Sequence, residues 1–125
     1  MKAVLAISAF RNTLYFSTCR NSRSYMALTV LSTAKAILCN SPGRSETTVC
    51  VDGLPKSRLN WFATELRRLC IRIRKVMGVR REESDALIRL ADACCGFVRL
   101  ASLGNRPHAV ELFERAKKDD YLKEV

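Results

Sequence analysis

The sequence predicts an α/β fold in which short strands alternate with amphipathic helices. A β-branched run at residues 47–51 is typical of a strand, and apolar side chains at helical spacing indicate helices on both sides of it. With 125 residues, 48% of them hydrophobic, the chain is long enough to bury one core. We therefore expect a single domain over residues 1–125, with strands and helices packed in layers.

The N-terminal third predicts strands followed by a helix. Residues 3–10 and 13–16 are apolar and short, and Arg11-Asn12 between them indicates a turn, so they form two strands or one bent strand. From Ser24 to Leu38 apolar residues recur at helical spacing, with Ser22 or Ser24 available as the N-cap. This pattern predicts a helix of about four turns.

The middle of the chain predicts a loop and then a buried strand. Asn40-Ser41-Pro42-Gly43 is the loop, because Pro fixes φ and Gly permits positive φ. Thr47-Thr48-Val49-Cys50-Val51 is β-branched and compact, and it ends at Asp52-Gly53, where the glycine allows a sharp turn. Asp52 is therefore expected at the carboxyl end of a strand.

After Pro55, the sequence predicts a helix that Ser57 can cap, and its apolar face consists of Leu59, Phe62, Ala63, Leu66 and Leu69. The end of this helix is ambiguous. Helical spacing continues through Val76 and Met77, whereas Ile71-Arg72-Ile73-Arg74 alternates as a half-buried strand does. Periodicity alone leaves both alternatives open.

Two helices are expected in the C-terminal third. The first begins at Ser84 and stops near Leu103-Gly104-Asn105, with one face formed by Leu87, Leu90, Ala91, Cys94 and Val98. The second runs from Pro107 to Lys118 and is amphipathic, with its apolar side chains at Val110, Leu112, Phe113 and Ala116.

The positive charge is concentrated in one stretch. The chain has 22 Lys and Arg against 12 Asp and Glu, a net charge of +10. That stretch runs from Lys56 to Arg81 and contains one acid, Glu65. Its nine basic residues are Lys56, Arg58, Arg67, Arg68, Arg72, Arg74, Lys75, Arg80 and Arg81. Clustered cations bind phosphates with release of counterions, so the stretch favours nucleic acid as partner. The alternative is a solvated surface that pairs in part with acidic residues of the C-terminal third.

Composition also bears on the compartment. No apolar run approaches the length of a membrane span, and the apolar residues 3–10 are too short for a typical secretory signal. Six cysteines without a CxxC pair, together with one histidine, His108, give no ligand set for structural zinc. We expect a soluble cytoplasmic protein without a membrane partner, whose cysteines are reduced and buried.

Carboxylates are the best candidates for chemistry, because the chain lacks both a GxGxxG and a Walker A sequence, and His108 is the sole histidine base. Asp52 and Asp92 lie among apolar neighbours, where an unpaired buried carboxylate is costly. A strand-end turn for Asp52 and an ion pair with Arg89 or Arg99 for Asp92 are the alternatives. Asp85 lies seven residues before Asp92, so the two share a helix face about 10 Å apart, too far to hold the same ion easily. The first-turn position of Asp85 suits the helix dipole.

Several segments together resemble the bacterial and phage family called domain of unknown function 3800. The resemblance covers about residues 47–100 and matches the C-terminal half of that family. Its motif segments are Val51-Asp52-Gly53-Leu54-Pro55-Lys56, Glu65-Leu66-Arg67-Arg68, Ile73-Arg74-Lys75-Val76, Glu83-Ser84-Asp85-Ala86-Leu87-Ile88-Arg89-Leu90-Ala91-Asp92 and Gly96-Phe97-Val98-Arg99.

The resemblance implies a ribonuclease H-like mixed sheet flanked by helices. It implies metal-dependent phosphodiester hydrolysis, with Asp52 and Asp92 as ligands of Mg²⁺ or Mn²⁺ and Asp85 as a third catalytic candidate. It also favours the strand for residues 71–76. The basic stretch would then hold the nucleic-acid backbone beside the metal site.

The chain departs from the family at its start. Family members open with an Asp-Glu-Ser strand that supplies the first metal ligand, whereas this chain has no acidic residue before Glu46. The expectation is therefore a truncated ribonuclease H-like domain, derived from a nuclease and weak or inactive as it stands. One alternative is a non-catalytic module that binds nucleic acid. Another is a remnant whose exposed sheet edge drives self-association into a homo-oligomer.

Overall fold

The computed structural model describes residues 11–18, 22–40, 46–79 and 86–125. Within them the chain forms four α-helices and two small parallel sheets, which confirms the mixed α/β class. In chain order the elements are β1 (Tyr15–Phe16), α1 (Tyr25–Asn40), β2 (Thr47–Asp52), α2 (Lys56–Arg68), β3 (Ile73–Val79), α3 (Ala86–Ser102), α4 (Pro107–Lys118) and β4 (Lys123–Glu124).

The chain divides into two compact units. Residues 18–88 form one unit, and residues 1–17 with residues 89–125 form the other. Each unit has its own hydrophobic cluster. The expectation of a single domain stays a prediction.

The central feature of unit 18–88 is the β2-α2-β3 segment. The two strands are parallel, with Thr48 opposite Lys75 and Asp52 opposite Val79. The register shifts between Thr47 and Thr48, because Thr47 is opposite Ile73 and Arg74 is the extra residue of β3. The helix α2 makes the crossover that two parallel strands require. The strand predicted at 47–51 is confirmed, and so is the strand alternative after α2.

One side of this sheet carries the core of the unit. Phe62 and Leu66 of α2 have no exposed surface, and they pack with side chains of α1 and of both strands. The buried members of the cluster are Val30, Ala34, Val49, Phe62, Ala63, Leu66, Ile71, Ile73 and Val76. The predicted apolar face of α2 is thus confirmed except at Leu69, which is 44% exposed. That prediction is wrong because the helix ends one residue earlier, at Arg68.

The two ends of α2 are set by backbone geometry. Pro55, with φ −62°, is the N-cap and no side chain caps the helix, so the prediction that Ser57 is the cap is wrong. Ser57 lies inside the first turn, since Lys56 is already helical. At the other end Cys70 has φ 61°, its N–H donates to the Arg67 carbonyl at 3.0 Å, and the Ile71 N–H donates to the Leu66 carbonyl at 3.2 Å. This pattern is a Schellman motif, which stops the helix and turns the chain toward β3.

The other unit contains β1, β4, α4 and most of α3. β1 and β4 are parallel, with Tyr15 opposite Lys123. The unit's cluster combines Val98, Ala116, Tyr121 and Leu122 with the partly buried Leu14, Phe16, Phe97 and Phe113. The helix predicted from Pro107 to Lys118 is confirmed, and α3 ends as predicted before Gly104, which has φ +71°.

The expected inner face of α3 is correct in part. Cys94 and Val98 are buried, whereas Leu87 is 69% exposed and Ala91 is exposed as well. The prediction is wrong at these two positions because the buried side chains of the helix lie in its C-terminal half, at Cys94, Val98 and Ala101.

Other expectations concern the ends of elements. The helix predicted at 24–38 is confirmed as α1, which begins one residue later, ends at Asn40 and follows a 3₁₀ turn at Ser22–Ser24. The turn at Arg11-Asn12 is confirmed, but the strand at 13–16 is shorter than predicted. The strand at 3–10, most of the loop at 40–43 and the start of the helix at Ser84 lie outside the described residues.

Candidate nucleic-acid interface

The β2-α2-β3 segment carries seven of the nine predicted nucleic-acid-binding residues, and all seven are exposed. We call them the basic surface: Lys56, Arg58, Arg67 and Arg68 on α2, Arg72 in the turn that follows, and Arg74 and Lys75 on β3. Arg80 and Arg81 lie outside the described residues.

The motif at the end of α2 determines how the basic surface is assembled. Because the helix stops at Arg68 and the chain reverses at Cys70, the last turn of α2 lies next to the first residues of β3. Arg67 shows this directly, since its Nη2 donates a hydrogen bond to the Ile73 carbonyl at 3.3 Å. The turn thereby holds the Arg67 guanidinium at the start of β3.

Glu65 is the acid of α2. Its Oε1 lies 3.1 Å from Nη1 of Arg68, three residues further along the helix. The Arg68 side chain is 73% exposed, so the pair is screened by solvent and adds little stability. Its effect is mainly to reduce the positive potential on that side of α2.

The other face of the β2–β3 sheet is open in part. Thr48, Cys50 and Asp52 of β2 and Lys75 and Met77 of β3 are all exposed. Parallel sheets are usually covered on both faces, so an exposed face of this kind is unusual. Lys75 and Asp52 lie on this same side of the sheet. Lys75 is opposite Thr48, and Asp52 follows Thr48 by four residues, so the alternation of side chains along β2 gives all three the same face.

Asp52 lies where the sequence places it, as the last residue of β2 and at the carboxyl end of a parallel strand pair. Gly53 follows with φ +73°, and the chain then enters α2. The expected burial is wrong, however, because Asp52 is exposed. Its charge is therefore hydrated and does not require a buried partner.

Asp92 lies on α3 in the other unit and is exposed too, so its expected burial among apolar residues is also wrong. The flanking Ala91 and Ala93 are themselves exposed. Asp85 lies outside the described residues. In the part of the chain that the structure describes, no three His, Cys, Asp or Glu side chains are grouped as metal ligands would be.

The cysteines differ in their surroundings. Five are described and none of these is in a disulfide; Cys94 is buried, whereas Cys39, Cys50, Cys70 and Cys95 are exposed. The expectation of buried cysteines is thus wrong for four of them. Cys39 lies near the end of α1, Cys50 on the open sheet face, Cys70 in the turn after α2 and Cys95 on the exposed side of α3. Burial raises the pKa of the Cys94 thiol, and the adjacent Cys95 raises it further. A protonated thiol is a poor nucleophile at neutral pH.

Aromatic residues take no part in the basic surface. Phe62 has no exposed surface, and the half-buried Trp61 packs against the core cluster with its ring 6.5 Å from that of Phe62. Phe62 therefore belongs to the core as its place on the predicted apolar face of α2 requires, and Trp61 covers that core from the side. His108 is exposed in the first turn of α4.

Comparison with known proteins adds no relative. No family model matches the chain, and the searches of curated proteins and of solved structures found no match. The resemblance described above therefore stays a prediction.

Sequence reasoning missed two contacts that shape the interface. The Arg68–Glu65 pair has the spacing of helical neighbours, so the sequence contained a sign of it. The contact of Arg67 with the Ile73 carbonyl had no such sign. It depends on the position of the turn, which periodicity left undecided.

Proposed function

We propose that this chain binds nucleic acid through the basic surface. The observation that carries the proposal is the exposure of all seven cations on one β-α-β segment, whose acids are Asp52 and Glu65. Exposed Lys and Arg side chains can reach phosphate oxygens without a change of fold. The release of condensed counterions then drives association.

Arginine makes up five of these seven residues. Its guanidinium offers several N–H donors in a fixed fork, which suits phosphate oxygens better than the single ammonium of lysine does. The composition of the surface thus supports phosphate as the group that is bound.

The finer fold assignment belongs to the same proposal. A parallel β-α-β segment with an acid at the end of its first strand is compatible with a ribonuclease H-like domain, and the resemblance over residues 47–100 supports that assignment.

A cytoplasmic location is also proposed, supported by the unpaired thiols of the five described cysteines. Among the described residues, no helix is both long enough and apolar enough to cross a bilayer.

Neutralising part of the basic surface tests the proposal. We expect that a variant with Arg67, Arg68, Arg74 and Lys75 replaced by Gln binds a labelled oligonucleotide at least about tenfold more weakly, because four positive charges are removed from the surface that attracts the phosphates. Fluorescence anisotropy at fixed salt is the measurement. Asp52→Asn with Asp92→Asn is the control and should not weaken binding. Absence of saturable binding by the unaltered chain would refute the proposal.

Metal-dependent phosphodiester hydrolysis is the second candidate. It is favoured by the position of Asp52, because open α/β sheets bind ligands at the carboxyl ends of their strands. The addition of Asp92 as a second ligand of Mg²⁺ or Mn²⁺, and of Asp85 as a catalytic residue, rests on the resemblance.

Calorimetric titration with Mn²⁺ and with Mg²⁺ tests this candidate. If the two carboxylates hold an ion, the unaltered chain releases or takes up heat on binding and the Asp52→Asn, Asp92→Asn double variant does not. If the two proteins give the same titration, these carboxylates are not metal ligands and the second candidate is abandoned. The first proposal is unaffected by either result.

Self-association is a third proposal. Within the described residues β2 and β3 pair with each other alone, so each strand has an edge that a strand of another copy could use. It predicts a molecular mass that rises with protein concentration in sedimentation equilibrium. A constant monomer mass would exclude it.

A further inference from the structure

The two flanks of α2 differ in charge. Lys56 and Arg67 are eleven residues apart, which is three helical turns, so their side chains leave the helix within about 20° of each other. At 1.5 Å per residue they lie about 16 Å apart along the helix axis. Both side chains are exposed, and together they define what we call the Lys56 flank.

The opposite flank contains the carboxylate. Arg58 and Glu65 are seven residues apart and share a direction on the helix to within about 20°. Glu65 is also the partner of Arg68, with 3.1 Å between Oε1 and Nη1. On this flank a negative charge lies close to the cations and offsets part of their attraction for a polyanion.

The Lys56 flank contains no acid of α2. Among the described residues, no carboxylate oxygen lies within ion-pair distance of Lys56 or Arg67. Arg67 is instead held by the Ile73 carbonyl at 3.3 Å, at the start of β3. This bond uses one of five guanidinium N–H donors, so the group is oriented and still has donors for a phosphate.

Neither α2 nor β3 offers a ring on which a base can stack. Their aromatic residues are Trp61 and Phe62, and both pack in or against the core. Stacking on aromatic side chains is what makes single strands bind tightly, at about 1–3 kcal/mol per base. Without stacking, the affinity depends mainly on the charge density of the nucleic acid. A duplex carries about twice the charge per unit length of one of its strands, so it is attracted more strongly.

We infer that double-stranded nucleic acid lies along the Lys56 flank of α2, with Lys56 and Arg67 contacting phosphates of its backbone and no side chain reading the bases. This inference rests on the proposed function, because it states which part of the basic surface meets the ligand and which form of nucleic acid is bound. It excludes the Arg58 side of the helix as the principal contact.

Two double variants with the same change in charge test the inference. Lys56→Gln with Arg67→Gln removes two cations from the Lys56 flank, and Arg58→Gln with Arg68→Gln removes two from the other. We expect the first pair to weaken binding of a short duplex about tenfold or more and to reduce the salt slope by about 2. The second pair should change affinity less than about threefold, because those cations are not the main phosphate contacts.

Further probes separate the parts of the inference. A DNA duplex, an RNA duplex and the single strands of each are compared, and duplexes of two unrelated sequences should bind alike. Lys56→Gln alone is included because Lys56 is exposed and forms no ion pair with any described residue, so we expect this substitution to change the stability of the fold little. We expect it to weaken duplex binding about threefold.

The outcomes are distinguishable. If the unaltered chain binds no nucleic acid, the proposed function itself is overturned. If it binds duplexes but the two double variants lose affinity equally, the flank assignment is overturned and the proposed function stands. If single strands bind more tightly than duplexes, or one sequence is strongly preferred, the inferred ligand form is overturned.

Discussion

Residues with positive φ end three of the helices in the described part of the chain. Gly104 follows α3, Cys70 follows α2 and Asp120 follows α4. At Asp120 the arrangement repeats that at Cys70, because the Tyr121 N–H donates to the Ala116 carbonyl at 2.8 Å. Glycine adopts this conformation without cost, whereas a residue with a Cβ pays about 1–2 kcal/mol.

These three helix ends explain what the sequence could and could not predict. The end of α3 was predictable because Gly104 is the expected C-terminal residue. At Cys70 no glycine marks the turn, so helix and strand remained equal alternatives there. The end of α4 at Lys118 was predicted from the amphipathic pattern and not from Asp120.

Cys70→Gly should therefore stabilise the protein. It removes the strain of a side chain at φ 61°, and the greater entropy of glycine in the unfolded chain offsets part of the gain. We expect an increase of about 0.5–1 kcal/mol in the free energy of unfolding, measured by urea denaturation. Cys70→Ala is the control, since it removes the thiol and keeps the Cβ. An equal increase in both variants would contradict the explanation.

The element that organises unit 18–88 is α2. One side of it supplies Phe62 and Leu66 to the core, and the remainder carries four cations of the basic surface. The core side was predictable because apolar residues at helical spacing must face the same way. The charge contrast between the two flanks of α2 also follows from helical spacing. The contact of Arg67 with the Ile73 carbonyl was not predictable, because it depends on where β3 begins.

Truncation of Phe62 tests the importance of α2 for folding. Phe62 is 0% exposed, so Phe62→Ala leaves a cavity and should lower the free energy of unfolding by about 3–5 kcal/mol. Thr64→Ala on the exposed side of the same helix is the control and should change it by less than about 0.5 kcal/mol. Chemical denaturation measures both. Similar effects of the two substitutions would show that α2 does not pack as described.

At the scale of the whole molecule, the positive charge belongs mainly to one unit. Residues 18–88 contain 13 basic and 6 acidic residues, a net charge of +7. Residues 89–125 contain 7 basic and 6 acidic residues, so their charges nearly balance within that segment. The C-terminal third therefore has a net charge of +1 and no net negative charge with which to neutralise the basic stretch. This distribution supports the polyanion hypothesis over a surface that is neutralised within the chain.

The salt dependence of binding tests the central claim most directly. Affinity for a labelled duplex is measured over a series of KCl concentrations, and the logarithm of the association constant is plotted against that of the salt concentration. Binding through phosphates predicts a straight line with a slope of about −2 or steeper, because each phosphate contact contributes about −0.9. A slope near zero, or no binding at low salt, would contradict the claim that the basic surface is a nucleic-acid interface.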